Sequence, residues 1–412
     1  MNKALQVLMD RGFTKACTDT DALSDLMDRE PVTFYIGTDP TGRSLHIGHM
    51  VPFFAAHHLQ EFGHNPIALV GNGTAMIGDP SGKTELRKML TQEQVMDNSR
   101  HIKEQLSHVM DFSEKPKPGM GKAIMRFNGD WLLDLNYISF LREIGSQFSV
   151  NKMLTFESYK QRLERGLSFI EFNYQLLQSY DFLILHRENG ARLQIGGDDQ
   201  WGNIVAGTDL IRRMDGDECY GLTFHLITRA DGKKMGKSEQ GAIFIDPELL
   251  SPYNFYQYWR NVPDEDVIKF MKLFTFMSMD EIADWAKVKN INEAKQKLAF
   301  EQTKITHGEE EAEKARDAAK AVFSTGGDVS GMPSIELAAS DLEKGIGVID
   351  LFSSTDLCKT KSDARRLIQD GGASINGEKV PGIDLVVDSS FVKDGDMILK
   401  AGKKRFFRII VK

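Results

Sequence analysis

Cysteine is scarce in this sequence and long apolar runs are missing, and both absences narrow the class of protein. The 412 residues contain three cysteines, at positions 17, 219 and 358. Their odd number and wide spacing indicate neither a disulfide framework nor a cysteine-based metal site. Apolar runs such as 51–56 and 182–185 are far too short to span a bilayer, and residues 1–17 lack the apolar centre of a signal peptide. We therefore expect a globular protein of the reducing cytoplasm with no membrane partner.

The positive charge of the chain is concentrated at its C-terminal end. A net charge of −8 and a hydrophobic content of 41% suit a protein of two or three domains. Residues 350–412 carry 12 Lys and Arg against 9 Asp and Glu, or +3, which leaves 39 against 50, or −11, for the rest. The C-terminal piece is therefore the better candidate for contacting nucleic acid.

A strand, a loop and a helix are predicted for residues 32–63. Residues 32–36 are β-branched and aromatic, and residues 37–42 are too rich in Gly, Pro and Asp to continue the strand. Apolar residues then recur at 47, 50, 51 and 54, which predicts one buried helix stripe with Ser44 as N-cap. Residues 66–70 follow as a second buried strand. The loop after the first strand therefore lies where open α/β sheets bind ligands.

His46 and His49 lie three residues apart at the start of this helix, so they share one face. A helix N-terminus, two imidazoles and the small Gly48 together suit a nucleotide phosphate. Two surface histidines on an ordinary helix are the alternative. A zinc site using His57, His58 and His64 is a second alternative, but the nearby sequence lacks both cysteine and the metalloprotease spacing.

The loop after the second strand, residues 71–84, resembles a P-loop superficially. The Walker pattern requires a glycine at position 77, where this chain has Ile77, so the phosphate cradle is not encoded. Lys83 and Arg87 follow in this region, and solvated loop charges are an alternative explanation for both.

Ser168 and Glu171 form a capping box, which fixes the start of a helix. Tyr174, Gln178 and Asp181 then fall at i, i+4 and i+7 on one face of that helix. Apolar residues elsewhere on the helix are available for the core, so this polar stripe predicts a pocket.

Two further segments carry candidate chemistry. Residues 191–214 repeat the first unit as strand, glycine turn, acid and helix, with Gly197 and Asp199 at the turn. Residues 231–238 form a basic octamer, for which an exposed hairpin tip is the alternative explanation. Residues 1–31 are predicted to be helical and carry no recognisable chemistry.

Residues 34–49 resemble the HIGH signature of class I aminoacyl-tRNA synthetases, and residues 231–238 resemble the KMSKS signature, with Gly236 where Ser usually stands. Together with the pocket helix, these segments make the whole chain similar to bacterial-type tyrosyl-tRNA synthetases. The resemblance implies a doubly wound parallel-sheet (Rossmann-like) α/β catalytic domain, a helical domain and a small α+β RNA-binding C-terminal domain. It also implies a homodimer that activates tyrosine with ATP, carrying Mg²⁺, and transfers the tyrosyl group to the 3′ end of its tRNA.

The resemblance also assigns roles to individual residues. The tyrosine is expected to contact Tyr35, Asp79, Tyr174, Gln178, Asp181 and Gln200. The nucleotide is expected to lie against Gly37, Asp39, Gly48, Gly197, Asp199 and Lys237. Catalysis is expected to use Thr41, His46, His49, Lys83, Arg87, Lys234 and Lys237. Asn128 also matches a family motif, although a turn residue before Trp131 explains it equally well.

The expected domains are a catalytic domain at 1–240 with a helical insertion at about 85–165, a helical anticodon-arm domain at 241–323, a linker at 324–346 and an RNA-binding domain at 347–412. The expected RNA face comprises Lys359, Lys361, Arg365, Arg366, Lys403, Lys404 and Arg405, and a solvated basic surface is the alternative. A P-loop nucleotidase or kinase and a noncatalytic RNA-binding paralogue are the rival functions. The missing glycine argues against the first, and the two intact signatures argue against the second.

Overall fold

The computed structural model describes residues 1–79, 90–156, 159–160, 163–164, 166–228, 230, 235, 237–238, 241–321, 331–393, 395–402 and 405–412. The chain divides into two compact units. The first comprises residues 1–249 and 263–294, and the second comprises residues 250–262 and 295–412.

A six-stranded sheet forms the centre of the first unit. Its strands are β1 (Thr14–Cys17), β2 (Thr33–Thr38), β3 (Asn65–Val70), β4 (Ile124–Phe127), β5 (Ala191–Gly197) and β6 (Tyr220–Phe224). They lie in the order β1-β6-β5-β2-β3-β4, and all neighbours are parallel except β1, which is antiparallel to β6. The chain leaves β2 towards β3 on one side, while β5 and β6 extend the sheet on the other. The predicted doubly wound parallel sheet is confirmed, and its switch point lies between β2 and β5.

Helices cover this sheet. They are α1 (Lys3–Arg11), α2 (Thr20–Arg29), α3 (Ile47–Glu61), α4 (Gln92–Leu106), α5 (Gly129–Leu132), α6 (Tyr137–Glu143), α7 (Val150–Met153), α8 (Phe169–Asn189) and α9 (Trp201–Met214). None of the helices that the structure describes is both long enough and apolar enough to cross a bilayer.

Three local predictions for this unit need correction. Residues 1–31 are not wholly helical, because β1 pairs along the sheet edge. The insertion at 85–165 contains β4, which extends the parallel sheet from β3. Ser44 is not the N-cap of α3: the cap is His46, and the Ser44 hydroxyl instead donates to the Leu45 carbonyl at 2.7 Å and accepts from the Asp246 N–H at 3.2 Å.

The start of α8 agrees with its prediction. Ser168 Oγ accepts from the Glu171 N–H at 3.3 Å, and Glu171 Oε2 accepts from the Ser168 N–H at 3.1 Å, so both bonds of the capping box are present. The helix ends at Gly190, whose φ of 68° is the left-handed conformation that a glycine C-cap favours. Because the start of α8 is fixed, Tyr174, Gln178 and Asp181 take up defined positions along one face.

The chain continues with α10 (Pro252–Arg260), α11 (Val267–Phe274), α12 (Met279–Trp285), α13 (Ile291–His307) and α14 (Glu309–Ala321). Two short strands, β7 (Lys237–Ser238) and β8 (Gly241–Ala242), pair with each other in the first unit. Helices α11 and α12 also belong to the first unit, whereas α10 and α14 belong to the second.

The C-terminal part of the second unit is a small α+β module. Its elements are β9 (Ser334–Leu337), α15 (Ala339–Glu343), β10 (Ile346–Gly347), α16 (Val348–Ser353), α17 (Lys361–Gln369), β11 (Ala373–Ile375), β12 (Glu378–Lys379), β13 (Val386–Val387), β14 (Asp396–Ala401) and β15 (Arg405–Val411). The larger sheet has the order β12-β11-β14-β15-β9. The two-residue turn Asn376-Gly377, with φ of 49° and 85°, joins β11 to β12 as predicted for a hairpin.

The linker predicted at 324–346 is too long. Ile335 pairs with Ile409 in the parallel ladder between β9 and β15, so residues 334–337 form the edge of the larger sheet. Apolar side chains of β9 pack on the core of the module, which explains why this segment is not free. Residues 322–330 lie outside the part of the chain that the structure describes.

Candidate functional site

A cleft opens at the carboxyl ends of the central strands of the first unit, at the switch point of the sheet. Its cavity volume is about 430 Å³. Fourteen of the predicted substrate, nucleotide and catalytic residues line it: Tyr35, Gly37, Asp39, Thr41, His46, Gly48, His49, Asp79, Tyr174, Gln178, Asp181, Gly197, Asp199 and Gln200. The fold therefore brings residues separated by up to 165 positions into one site.

Several predicted residues are outside this description. Lys83, Arg87, Lys234, Lys403 and Lys404 lie outside the described residues. For Lys237 only the backbone is described, as the first residue of β7.

Asp181 lies at the closed end of the cleft with 3% of its surface exposed. It accepts hydrogen bonds from Asn128 Nδ2 at 3.0 Å and from the indole N–H of Trp131 at 2.8 Å. Burial raises the pKa of Asp181 to about 8, and the two donors only partly offset that desolvation. The carboxyl group is therefore held rigidly in a place where its charge is costly, which is a common property of a functional group.

Tyr35 shares this end of the cleft. Its ring packs edge-on against Phe182, with centroids 5.1 Å apart, and its hydroxyl is buried with no hydrogen-bond partner among the described residues. Burial raises the pKa of Tyr35 well above its ordinary value, and the nearby Asp181 carboxylate raises it further. A buried hydroxyl without a partner costs free energy, so this atom is suited to receive a ligand.

A chain of hydrogen bonds joins Asp181 to the opposite wall. Asn128 Nδ2 also donates to Thr74 Oγ1 at 2.9 Å, and Thr74 Oγ1 donates to Asp39 Oδ1 at 2.7 Å. Tyr174 completes the chain by donating its hydroxyl hydrogen to Asp39 Oδ2 at 2.9 Å. No local pattern indicated the roles of Thr74 and Trp131, because their hydrogen-bond partners lie 35 and 50 residues away along the chain.

The hydrogen-bonded chain requires glycine at position 71, directly after the end of β3. A Cβ atom on Gly71 would lie 2.1 Å from Asp39 Oδ1 and 2.4 Å from Thr74 Oγ1. Any larger residue would therefore displace the carboxylate that holds Tyr174 in place.

A second polar group lines the middle of the cleft. Gln200 Nε2 donates to Asp79 Oδ2 at 2.8 Å. Asn203 Nδ2 contacts both Gln178 Oε1, at 3.0 Å, and Gln200 Oε1, at 3.1 Å. Burial, followed by the charge of Asp79, raises the pKa of Asp199 to about 6. The region is rich in acceptors and carboxylates, so it suits a cation such as an ammonium group.

The start of α3 forms the other end of the cleft. The rings of His46 and His49 stack with centroids 3.6 Å apart and an interplanar angle of 22°. Two imidazolium ions at this distance would repel each other, so this packing favours at least one neutral ring. A Cβ atom on Gly48 would lie 2.7 Å from the Met235 carbonyl oxygen, so only glycine allows the second signature to approach the first.

The histidines of the alternative zinc site have other contacts. His57 stacks on Phe276 with centroids 3.8 Å apart, and His58 Nδ1 lies 3.0 Å from Glu61 Oε2. His64 Nδ1 accepts from the Val32 N–H at 3.1 Å. In the part of the chain that the structure describes, no group of three or more His, Cys, Asp or Glu residues could hold a metal ion.

The described members of the predicted RNA face lie in the C-terminal module. Lys361, Arg365 and Arg366 are exposed on α17, while Ala364 and Ile368 anchor that helix to the core. Lys359 is exposed just before this helix. Arg405 has a structural contact, since its Nη1 donates to the Leu357 carbonyl at 2.6 Å.

The fold and the cleft define a class of protein, and comparisons with known proteins identify it. Residues 27–324 match the family described as tRNA synthetases class I (W and Y). Residues 326–409 match the tyrosine–tRNA ligase SYY-like C-terminal domain. The chain therefore belongs to the class I tRNA synthetases of the tryptophan and tyrosine group. More narrowly, it belongs to the tyrosine–tRNA ligases, enzymes that join tyrosine to tRNA with ATP.

Individual relatives agree with this assignment. The tyrosine–tRNA ligase of Treponema denticola is 58% identical over 413 residues, covering 100% of both chains. That of Treponema pallidum is 54% identical over 411 residues, covering 100% of this chain and 99% of the relative. A C-terminally truncated mitochondrial tyrosyl-tRNA synthetase of Aspergillus nidulans has a similar structure, with a TM-score of 0.70, 26% identity and coverage of 78% of this chain and 94% of that one. The family predicted from the two signatures is confirmed.

Proposed function

We propose that the closed end of the cleft binds the phenol of tyrosine between Tyr35 and Asp181. The observation that carries this proposal is the buried Tyr35 hydroxyl, which has no described partner, beside a carboxyl group fixed by Asn128 and Trp131. A phenol placed there accepts from one group and donates to the other. Phenylalanine would leave the Tyr35 hydroxyl buried and unpaired and would give Asp181 no partner beyond Asn128 and Trp131, so the site selects tyrosine.

The middle of the cleft then holds the amino-acid end of the substrate. Asp79 and Gln178 would receive the ammonium group, with Tyr174 positioned beside them through its bond to Asp39. The ammonium would displace the Gln200 amide from Asp79, which frees Gln200 to face the tyrosine carboxylate or the adenylate. This arrangement directs the carboxylate towards α3.

ATP, arriving with Mg²⁺, would lie along the start of α3. Asp199 would bind the ribose hydroxyls beside Gly197, while Gly37 and Gly48 leave room for the nucleotide. Asp39, held by Thr74, also faces it. The triphosphate would meet Thr41, His46 and His49 together with Lys83, Arg87, Lys234 and Lys237.

The chemistry requires positioning and charge stabilisation. The tyrosine carboxylate attacks the α-phosphorus in line, the bond to the β-phosphate oxygen breaks, and pyrophosphate leaves. A terminal ribose hydroxyl of the tRNA then attacks the tyrosyl carbonyl and AMP leaves. Neither step needs a nucleophile from the protein, so the protein residues orient the reactants and stabilise charge that develops in the transition state.

Tyrosine analogues test these contacts separately. Asp79→Asn should weaken binding of tyrosine and of tyramine, which both carry an ammonium group, but not binding of 3-(4-hydroxyphenyl)propionate, which lacks one. Asp181→Asn should weaken all three, because all carry the phenol. Asp198→Asn changes an acid outside the cleft lining and is the control. Equal losses for all three ligands in Asp79→Asn would contradict the assignment of the ammonium site.

We also propose that the chain is a homodimer of the cytoplasm whose interface is built from residues 133–170. Among the residues that the structure describes, seven of the fourteen exposed large apolar side chains fall there, including Ile138 at 70% and Phe169 at 68% exposure. Such a concentration of exposed apolar side chains is typical of a protein interface. Phe169→Asp should give a monomer in analytical ultracentrifugation, whereas Val386→Asp, at an exposed site in the C-terminal module, should not. A dimer that survives both Phe169→Asp and Ile138→Asp would contradict this interface.

The predicted domains keep their roles in this proposal, but α11 and α12 are assigned to the catalytic domain because they belong to its unit, and the RNA-binding module starts at 334 rather than 347. The exposed Lys and Arg residues of α17 support contact with the tRNA backbone, since their side chains neutralise phosphates.

A further inference from the structure

Asp266 occupies an unusual position for a buried carboxylate. It is the N-cap residue of α11, yet its side chain makes no capping hydrogen bond to that helix. Instead its Oδ2 accepts from the backbone N–H of Ala230 at 2.8 Å, and only 3% of the residue is exposed. An aspartate at an N-cap ordinarily binds the N–H groups of its own helix, so this one is used to hold another segment.

Lys269 makes a second contact to the same segment. It lies one turn further along α11, and its Nζ donates to the Thr228 carbonyl at 2.9 Å. Side chains at i and i+3 lie on one helix face, so an acceptor and a donor from α11 bind the N–H of residue 230 and the carbonyl of residue 228. Both contacts are to backbone groups, so they fix the path of the chain independently of its side chains.

This backbone leads directly into the second signature, which begins at Asp231. At the opposite end of α11, Arg11 donates to the carbonyls of Lys272, Thr275 and Met277 at 2.9, 3.1 and 2.5 Å. These include carbonyl groups at and just beyond the helix end, where acceptors lack partners within the helix.

Helix α11 is also packed against the first signature helix. The Phe54 ring of α3 contacts the rings of Phe274 and Phe276, with centroids 5.8 and 5.4 Å apart. Because His46 caps α3 and His49 lies in its first turn, α11 connects the helix of the first signature to the backbone that enters the second. This connection lies within the first unit of the chain.

We propose that Asp266, assisted by Lys269, is a positioning residue for adenylate formation. The two side chains fix the Ala230 N–H and the Thr228 carbonyl relative to α3, so that the lysines that follow meet the transferring phosphate in the correct place. The inference rests on the proposed role of Lys234 and Lys237 at the triphosphate. Asp266 itself is not among the residues that line the cleft.

Pyrophosphate exchange with tyrosine tests this inference in the full-length protein. Asp266→Ala should lower kcat by about 10- to 100-fold, because small misplacements of a catalytic group cost rate on that scale. The dissociation constant for tyrosine, measured by equilibrium dialysis, should change by less than about twofold, because the amino-acid pocket is separate. Asp266→Asn keeps an oxygen that accepts from the Ala230 N–H and should recover most of the rate. Glu265→Ala removes the exposed neighbouring carboxylate and should behave as the wild type.

A double-mutant cycle separates positioning from a general structural effect. If Asp266 acts through Lys234, adding Asp266→Ala to the Lys234→Ala variant should lower its exchange rate by less than about threefold, although the same change lowers the wild-type rate much more. An equal slowing in both backgrounds, or a parallel loss of tyrosine affinity, would overturn the inference.

The cycle also distinguishes this inference from the proposed function. Normal exchange by Lys234→Ala would overturn the lysine assignment and the inference with it. Slow exchange by Lys234→Ala together with normal exchange by Asp266→Ala would overturn the inference alone. If Asp266→Ala does not fold, Lys269→Ala removes the exposed half of the contact and should lower kcat by about twofold or more without changing tyrosine affinity. An unchanged kcat in that variant would contradict the positioning role.

Discussion

Removing the Tyr35 hydroxyl should reduce the preference for tyrosine over phenylalanine without disturbing the fold. The hydroxyl has no described partner in the protein, so Tyr35→Phe breaks no internal hydrogen bond that the structure shows. The ring contact with Phe182 is retained because only one oxygen atom is lost. The change therefore acts on the bound phenol.

The size of the effect follows from one hydrogen bond. A neutral hydrogen bond contributes about 0.5–1.5 kcal/mol net, which corresponds to about 2- to 13-fold in kcat/KM for tyrosine. Activation of phenylalanine should be unchanged or slightly improved, because the variant no longer buries an unpaired hydroxyl when phenylalanine binds. Above about pH 8, where the Asp181 carboxyl is ionised, Asp181→Asn should have a larger effect of about 10- to 150-fold, because bonds to a charged group contribute about 1.5–3 kcal/mol.

The assay is pyrophosphate exchange with tyrosine and with phenylalanine, reported as the ratio of the two kcat/KM values. Tyr180→Phe is the matched control, since it makes the same chemical change on α8 next to Asp181 but outside the cleft lining. A ratio that stays at its wild-type value in both Tyr35→Phe and Asp181→Asn would refute the phenol site.

Three further predictions concern other parts of the protein. Lys234→Ala and Lys237→Ala should slow tyrosyl-adenylate formation by orders of magnitude in single-turnover experiments while tyrosine affinity stays nearly constant, because these charges act on the transition state; equal losses in affinity and rate would contradict this. Between the ordinary Asp pKa of about 3.9 and the folded-state pKa of about 8, the folded protein keeps a proton on Asp181 that the unfolded chain has lost, so stability falls as pH rises through this window. As the pH rises from about 5 to about 8, the free energy of unfolding of Asp181→Asn, measured in urea titrations, should therefore increase relative to that of the wild type. A difference between the two proteins that does not change with pH would contradict the raised pKa. The double variant Arg365→Ala, Arg366→Ala should weaken tRNA binding and reduce the slope of log binding constant against log salt concentration by about 0.7–0.9 per lost phosphate contact. The control Lys344→Ala should change neither. An unchanged slope in the double variant would mean that α17 does not contact the tRNA.

Local sequence patterns predicted those features that local chemistry determines. The capping box at Ser168 fixed the start of α8, so the common face of Tyr174, Gln178 and Asp181 followed from helix geometry alone. The glycine turns after β2 and β5 likewise marked the ends of strands at the switch point. These residues lie in the cleft because the parallel strands place their carboxyl ends at one edge of the sheet.

The features that the sequence did not predict depend on contacts between distant residues. β1 is four residues long and its pairing with β6 is irregular between Thr14 and Ala16, so its pattern is too weak to distinguish it from a helical segment. β9 is recognisable only through its pairing with β15, about 75 residues later. The bond from Trp131 to Asp181 and the redirected carboxylate of Asp266 are likewise visible only after folding.

Pyrophosphate exchange by the full-length protein with each of the twenty amino acids tests the central claim most directly. If the cleft holds a phenol between Tyr35 and Asp181, tyrosine alone should support rapid exchange, phenylalanine should support it weakly at best, and tryptophan should not support it. Rapid exchange with another amino acid, or exchange with tyrosine that survives Asp181→Ala unchanged, would contradict the account.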